Sequence, residues 1–133
     1  MNEKKNFIVG LYPRVSTEDQ SRYGHSLDEQ EESMKKLCDF KGYTIYKIYR
    51  EEGVSAKSMD RPKFQEMINV LKSGKINKII VYKLDRLTHS IQDLESICKL
   101  IEETDTSLES VSEEINTDTA TGKFFIRMTT ILA

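Results

Sequence analysis

Apolar residues along the chain form short runs that alternate with longer segments in which they recur at helical spacing. The runs FIVGLYPR (7–14), YTIYKIY (43–49) and KIIVYK (78–83) are rich in β-branched and aromatic residues and predict β-strands. The third run is almost continuously apolar, which is typical of a central strand buried on both faces. A weaker strand is predicted over SLESVSE (107–113), where the acidic residues of LESVSEE indicate a solvated edge.

Four further segments carry helical periodicity. The first follows SLDE (26–29), which has the spacing of a capping box with Ser26 as the N-cap. Pro62 fits the first turn of the second helix, Ser90 can cap the third, and the fourth begins near Thr121. The apolar positions of the four helices are, in order, Leu27, Met34, Leu37 and Cys38; Phe64, Met67, Ile68 and Leu71; Ile91, Leu94, Ile97 or Cys98, and Ile101; and Phe124, Phe125, Met128, Ile131 and Leu132.

The last helix reaches the end of the sequence on an apolar face. TGKFFIRMTTILA shows neither a capping residue nor a glycine stop. We interpret this pattern as a helix that is cut short and expect the chain to be a fragment of a longer protein.

Alternating strands and helices with short connections predict an α/β fold, in which a mostly parallel central sheet is flanked by helices. We expect residues 1–133 to form one such domain. Functional sites in these folds lie at the carboxyl ends of the strands. The loops that follow the first and third predicted strands should therefore lie side by side.

The composition is that of an ordinary globular protein. The 133 residues suit one domain, with 38% hydrophobic and 32% charged residues. No apolar run approaches the roughly twenty residues that span a bilayer, and MNEKK precedes a strand-like run rather than the apolar region of a signal peptide. We expect a cytoplasmic protein without a membrane partner.

The two cysteines do not indicate a metal or redox site. Cys38 and Cys98 are far apart in the sequence and form neither a CxxC pair nor part of a metal-ligand cluster. Both are predicted to be free, largely buried thiols, since disulfides are rare in cytosolic chains. We expect neither a metal ion nor an organic cofactor.

The formal net charge of −2 argues against a stand-alone nucleic-acid-binding domain, since such domains are usually basic. A role on DNA would require either a local cluster of arginines or binding by another part of the protein. The loops at the predicted strand ends contain such arginines.

The first loop offers Arg14, Ser16 and Gln20, and the third offers Asp85 and Arg86. The second loop adds Glu52, Ser55 and Arg61. Guanidinium groups bind phosphate oxygens with two hydrogen bonds, stay charged at any working pH and stabilise the charge that grows in a transition state. Arginines gathered around one serine therefore indicate attack on a phosphodiester. Asp85 would act as a proton carrier to the leaving hydroxyl or would hold an arginine in place.

Four ordered segments carry a resemblance to a known family. RVST with Gln20, then SLDEQ, then GVSAKSMDRP, then YKLDRL resemble the catalytic domain of the serine recombinases of the resolvase/invertase superfamily. The spacer containing Gly24 and the segment INTDTATGKFF are more similar to the large serine integrases of phages and mobile elements. The resemblance covers essentially the whole chain.

The resemblance implies site-specific recombination of double-stranded DNA at crossover sites, in a bacterial cell, by a phage or mobile-element enzyme. Ser16 would be the nucleophile and would join covalently to a DNA 5′ end, without ATP or metal. The implied phosphate ligands are Arg14, Arg61 and Arg86, the implied supporting residues are Gln20, Gln30 and Ser55, and the implied acid is Asp85. Family members form dimers that pair into tetramers. The helix near Thr121 would be the dimerisation helix, and the DNA-binding domains would lie outside this chain.

One position departs from the family pattern. Members commonly read KLDRLSR or KLDRLGR, whereas this chain has His89 in place of the last arginine. An imidazole is shorter, offers fewer donors and is mostly neutral at pH 7, with an unperturbed pKa near 6.5. We therefore expect catalysis that is weakened or dependent on pH.

Taken singly, each residue also has an ordinary structural interpretation. Ser16 fits a turn, and Asp85 with Arg86 fits an exposed ion pair. Asp60 fits a helix cap, and Arg61 fits an exposed residue in the first turn of the helix that follows.

Two other functions fit the same architecture. The first is a dimerising and regulatory module whose activity has decayed, with His89 as the mark of that decay. The second is a flavodoxin-like or phosphatase-like domain, which is disfavoured because neither cysteine begins a CxxxxxR phosphate loop and no acidic cluster indicates a metal.

Overall fold

A computed structural model describes residues 6–15, 26–52, 61–88 and 90–132, excluding the side chains after residue 128. The strands are β1 (Ile8–Leu11), β2 (Arg14–Val15), β3 (Thr44–Ile48), β4 (Glu51–Glu52), β5 (Lys78–Val81), β6 (Ser107–Ser110) and β7 (Ile115–Asn116). The helices are α1 (Leu27–Lys41), α2 (Pro62–Lys72), α3 (Leu84–Leu87), α4 (Ile91–Glu103) and α5 (Ala120–Leu132). Within these ranges, no helix combines the length and the apolar character needed to cross a membrane.

The main sheet has the strand order β3-β1-β5-β6-β7. Every neighbouring pair is parallel except β6 and β7, which are antiparallel. This arrangement confirms the predicted α/β fold with a mostly parallel central sheet. The first predicted strand is interrupted, because β1 ends at Leu11 and the chain passes Pro13, which has no N–H to donate to a ladder. The chain then forms β2, which pairs in parallel with β4.

Helices cover both faces of the sheet. Under α1, the apolar side chains of β1 and β5 pack against Met34 and Cys38. On the opposite face, β5 and β6 pack against α2, α4 and the beginning of α5. The predicted apolar face of α2, which consists of Phe64, Met67, Ile68 and Leu71, is fully buried there. The two cysteines are free thiols, as predicted. Burial raises the pKa of the Cys38 thiol to about 11, which leaves it protonated and unreactive at neutral pH.

The predicted N-caps of α1 and α4 are confirmed. The hydroxyl of Ser26 accepts a hydrogen bond from the Glu29 N–H at 3.1 Å, and that of Ser90 accepts one from the Asp93 N–H at 3.2 Å. Helix α2 is different, since Arg61 occupies its N-cap and forms no capping hydrogen bond with its side chain. Asp60, predicted as that cap, lies outside the described residues.

The predicted solvated edge over LESVSEE (108–114) is wrong for residues 108–110, which are buried, and is confirmed for residues 112–114, which are exposed. Strand β6 lies inside the sheet, between β5 and β7, and Glu109 is only 3% exposed. Its carboxylate accepts hydrogen bonds from the ammonium groups of Lys41 and Lys78 and from the Tyr43 hydroxyl. Paired cations and hydrogen bonds compensate for the burial of a carboxylate. The partners of Glu109 lie far away in the sequence, so the acidic residues of the segment alone do not predict its burial.

Lys78 is the centre of a buried polar network, here called the Lys78 cluster, which also contains Tyr43, Glu109, Asn116 and Asp118. The Lys78 ammonium is 0% exposed and lies 2.9 Å from Glu109 Oε1 and 2.8 Å from Asp118 Oδ2. It also donates to Asn116 Oδ1 at 3.0 Å and to the Tyr43 hydroxyl at 3.3 Å. The cluster therefore ties the turn between β7 and α5 to the middle of the sheet.

Candidate active site

The predicted meeting of the first and third loops occurs at the carboxyl ends of β1 and β5. The Arg14 side chain reaches from β2 to the short helix α3, 71 residues further along the chain. Its Nε donates to the Arg86 carbonyl at 2.7 Å and its Nη2 donates to the Asp85 carbonyl at 3.1 Å. Arg14 is 0% exposed, so its guanidinium is buried at these strand ends, where it forms part of the floor of the candidate site. Helix α3 was not predicted from the sequence, since residues 84–87 were expected to lie in a loop.

Gln30 fixes the backbone of Arg14. Arg14 N donates to Gln30 Oε1 at 3.2 Å, and Gln30 Nε2 donates back to the Arg14 carbonyl at 3.0 Å. Gln30 occupies this position because the cap at Ser26 begins α1 one turn earlier and turns the glutamine inward, where it is fully buried. The amide therefore holds the strand that leads directly into residue 16.

Arg61 reaches the same place from the start of α2. It is only 1% exposed, so the interpretation as an exposed first-turn residue is wrong. Its Nη1 donates to the Leu87 carbonyl and its Nη2 donates to Asp93 Oδ2 at 3.0 Å. The guanidinium carbon lies 4.2 Å from the centre of the Phe64 ring, within the range of a cation–π contact.

Asp85 and Arg86 differ sharply in exposure. The Arg86 side chain is 4% exposed, whereas that of Asp85 is 49% exposed. Arg86 Nη1 and Asp85 Oδ1 are 3.7 Å apart, beyond hydrogen-bond distance. The two residues are thus not an exposed surface pair. Arg86 lies in the floor of the site and the Asp85 carboxylate lies at its rim.

Glu51 was not among the residues predicted for this site, whereas its neighbour Glu52 was. Strand β4 turns Glu51 inward, where it is 2% exposed, and leaves Glu52 exposed. The Glu51 carboxylate accepts a hydrogen bond from the Tyr12 hydroxyl at 3.2 Å and from the Phe64 N–H at 3.1 Å. It thereby provides the capping interaction at the start of α2 that Arg61 does not provide. The alternation that continues from the buried Tyr49 was the signal that would have identified Glu51.

Burial controls the ionisation of Tyr12. Desolvation raises the pKa of its phenol far above the ordinary value, and the nearby arginines only partly oppose this effect. Tyr12 therefore stays protonated at any working pH and acts as a hydrogen-bond donor to Glu51.

Both arginines and carboxylates are buried at this edge of the sheet. Arg14, Arg61 and Arg86 are buried, and the largely buried carboxylates near them are Glu51 and Asp93. Guanidinium groups bind phosphate oxygens with paired hydrogen bonds, so the three arginines suit a phosphate group. Four predicted site residues lie outside the described residues, namely Ser16, Gln20, Ser55 and His89.

Comparison with known proteins places this geometry in context. The family model "Resolvase, N terminal domain" matches residues 9–133. The chain is 35% identical to the Transposon Tn917 resolvase of Enterococcus faecalis over 92% of this chain and 59% of that protein. It is 29% identical to the DNA-invertase hin of Salmonella typhimurium over 92% of this chain and 57% of that protein. The chain thus spans less than two thirds of the length of these relatives.

Solved structures give the same picture. The N-terminal catalytic domain of TP901-1 integrase superposes with a TM-score of 0.84 at 31% identity, covering 93% of this chain and 92% of that one. A resolvase family site-specific recombinase from Streptococcus pneumoniae superposes with a TM-score of 0.77 at 28% identity, covering 96% of this chain and 87% of that one. The likeness extends over nearly the whole sheet and its helices.

Proposed function

Because this chain belongs to the family of resolvase N-terminal domains, we propose that it catalyses site-specific DNA recombination with Ser16 as its nucleophile. The Ser16 hydroxyl oxygen attacks a DNA phosphorus, gives up its proton to solvent and forms a phosphoserine ester with the 5′ end. The bond to the 3′ oxygen breaks, and that oxygen leaves as a hydroxyl after it takes a proton. Rejoining is the reverse reaction with a new 3′ hydroxyl, so the bond energy is kept without ATP or metal.

The observation that carries the proposal is that buried arginines from distant segments meet at helix α3, where Arg14 and Arg61 donate to backbone carbonyls and Arg86 is part of the helix. Arg14, Arg61 and Arg86 are all buried there, and Ser16 follows directly after β2. Arginine side chains remain protonated, so these groups offer fixed positive charge to a phosphate whose negative charge grows during the reaction. Such fixed donors need little reorganisation when the charge develops.

We further propose that Asp85 supplies the proton to the leaving 3′ oxygen. Its half-exposed carboxyl group at the rim is accessible to a substrate and lies beyond hydrogen-bond distance of Arg86. Gln30 supports the reaction by fixing the Arg14 backbone. Gln20 and Ser55 are proposed as further supporting residues.

Double-stranded DNA at specific crossover sites is the proposed substrate, and the protein is proposed to assemble as dimers that pair into tetramers. Helix α5 supports this assembly, since it exposes 66% of Phe124 and 54% of Phe125, an apolar surface that suits a partner helix. The net charge of −2 fits a catalytic domain whose DNA affinity comes from other regions of the protein. A bacterial cytoplasm is the proposed setting.

The first test is covalent capture. The natural protein that contains this chain is incubated with DNA fragments of the source organism, quenched with detergent and run on a denaturing gel. We expect a protein–DNA adduct at 5′ ends that disappears completely in Ser16→Ala. Ser21→Ala, which removes a hydroxyl from the same loop, is expected to keep the adduct. Site-specific DNA binding without an adduct in the wild type would instead support a regulatory module without catalysis.

The second test concerns His89. Replacement by arginine is expected to raise the cleavage rate at pH 7.5 by roughly tenfold or more, because a permanent cation replaces an imidazole that is mostly neutral there. The wild-type rate should rise as the pH falls below about 6.5, where an unperturbed imidazole gains its proton, and the variant should lose that rise. His25→Arg, at the other histidine, serves as the control. An unchanged rate and pH profile in His89→Arg would contradict the prediction.

A further inference from the structure

Arg61 is held at two points that together fix the orientation of its guanidinium plane. One terminal nitrogen, Nη1, donates to the Leu87 carbonyl, and the other, Nη2, donates to Asp93 Oδ2 at 3.0 Å. The Phe64 ring lies against the face of the same group at 4.2 Å. A planar fork that is restrained at both terminal nitrogens and on one face has little freedom to rotate.

The third nitrogen of this guanidinium has no such partner. Among the residues that the structure describes, Arg61 Nε is buried and makes no hydrogen bond. A buried N–H without an acceptor is energetically costly and rare, so its presence indicates a position where an acceptor atom of a ligand binds. In the proposed reaction that acceptor is an oxygen of the scissile phosphate.

Asp93 is itself rigidly placed at the start of α4. Its N–H donates to the Ser90 hydroxyl at 3.2 Å, and the Ser90 N–H donates to the Thr88 hydroxyl at 3.0 Å. The Asp93 side chain is 9% exposed, so its charge interaction with Arg61 is only weakly screened by water. These hydrogen bonds hold the backbone at the start of α4 in place, and from there the Asp93 carboxylate reaches Arg61.

We infer that Asp93 is a positioning residue for the reaction, one that the sequence motifs do not mark. Its carboxylate keeps the Arg61 guanidinium turned so that the Nε edge faces the incoming phosphate. This inference rests on the proposed function, because it takes Arg61 as a phosphate ligand. Asp93 itself touches neither the substrate nor the reacting atoms.

The test measures the cleavage rate on DNA that is already bound, separately from DNA affinity. Asp93→Ala is expected to lower the rate by about 10- to 100-fold, the range in which small misplacements of a catalytic group act, with affinity unchanged. Asp93→Asn keeps the shape of the side chain and one acceptor oxygen, so its cleavage rate should fall less than that of Asp93→Ala. Glu95→Gln removes an exposed carboxylate from the same helix and should behave as the wild type.

A double-mutant cycle separates positioning from a general structural role. If Asp93 acts through Arg61, Asp93→Asn should have no further effect on the rate once Arg61→Lys has removed the fork, whereas independent roles would give additive losses. Circular dichroism checks the fold, and Asp93→Asn decides the question if Asp93→Ala does not fold. Additive losses, or a wild-type rate in Asp93→Asn, would overturn the inference. A wild-type protein that forms no adduct would instead overturn the proposed function.

Discussion

Lys78→Ala is expected to lower the free energy of unfolding by about 3–5 kcal/mol, the cost of breaking a buried ion pair by removing one partner. The Lys78 ammonium is completely buried and bonds Glu109 and Asp118 at 2.9 and 2.8 Å. Without it, the buried Glu109 carboxylate keeps only Lys41 and Tyr43 as charged or hydroxyl partners among the described residues. Urea denaturation at pH 7 measures the change.

Lys47→Ala is the matched control, because Lys47 also pairs with a glutamate, Glu66, but both side chains are largely exposed. Exposed pairs contribute little to stability, so this variant should unfold close to the wild type. Equal effects of the two substitutions would show that the Lys78 cluster does not stabilise the fold.

The contribution of Glu109 also depends on pH. Burial by itself raises the pKa of this carboxyl, but hydrogen bonds from Lys41, Lys78 and Tyr43 outweigh burial and hold the pKa below its ordinary value. The unfolded chain then binds more protons than the folded chain just below the ordinary value of about 4.3. The stability from Glu109 is therefore complete at neutral pH and is lost as the pH falls through its lowered pKa. The difference in the free energy of unfolding between wild type and Lys78→Ala should therefore become smaller as the pH falls through the lowered pKa of Glu109.

Gly122→Ala is expected to destabilise the protein by about 3 kcal/mol or more, at the upper end of overpacking effects. A Cβ at this position would lie 1.9 Å from the Asn116 carbonyl oxygen and 2.6 Å from its carbon, so the first turn of α5 must move away from β7. In an unhindered helix the same change would stabilise by about 1 kcal/mol. The clash with backbone atoms should outweigh this gain.

Urea denaturation again provides the measurement for Gly122→Ala. Lys123→Ala, at the exposed neighbouring position in the same turn, controls for the general effect of alanine in α5. An increase in stability in Gly122→Ala would mean that the start of α5 is not held against the Asn116 carbonyl.

The regular elements were predictable because their signals are local. The apolar spacing of α2 and the caps at Ser26 and Ser90 are written in consecutive residues, and the structure confirms each of them. Helix α3 was missed because it has only 4 residues and its carbonyls are bonded by Arg14 from a distant segment. Strand β7 was missed for a similar reason, since it contains 2 residues and forms only by pairing with β6.

The same holds for the candidate site, where local motifs predict residue types but not the contacts between residues that are far apart in the sequence. The arginines were predicted as site residues from their motifs, but their burial depends on contacts that no short segment specifies. Glu109 was expected in solvent because the lysine that neutralises it within the sheet lies 31 residues earlier. Asp93 was identified by no motif, because its partner Arg61 lies 32 residues earlier and the two meet only in the folded chain.

The position of β1 inside the sheet, between β3 and β5, has a consequence for how the protein is made. A ribosome releases β1 first, but its neighbours β3 and β5 begin only at Thr44 and Lys78. The strand that stabilises β5 from the other side, β6, emerges later still, at Ser107. Contacts between such distant segments form slowly, and an apolar strand without partners is exposed to aggregation. The nascent chain is therefore expected to gain its resistance to proteases in one late step of synthesis, after β6 has left the ribosome.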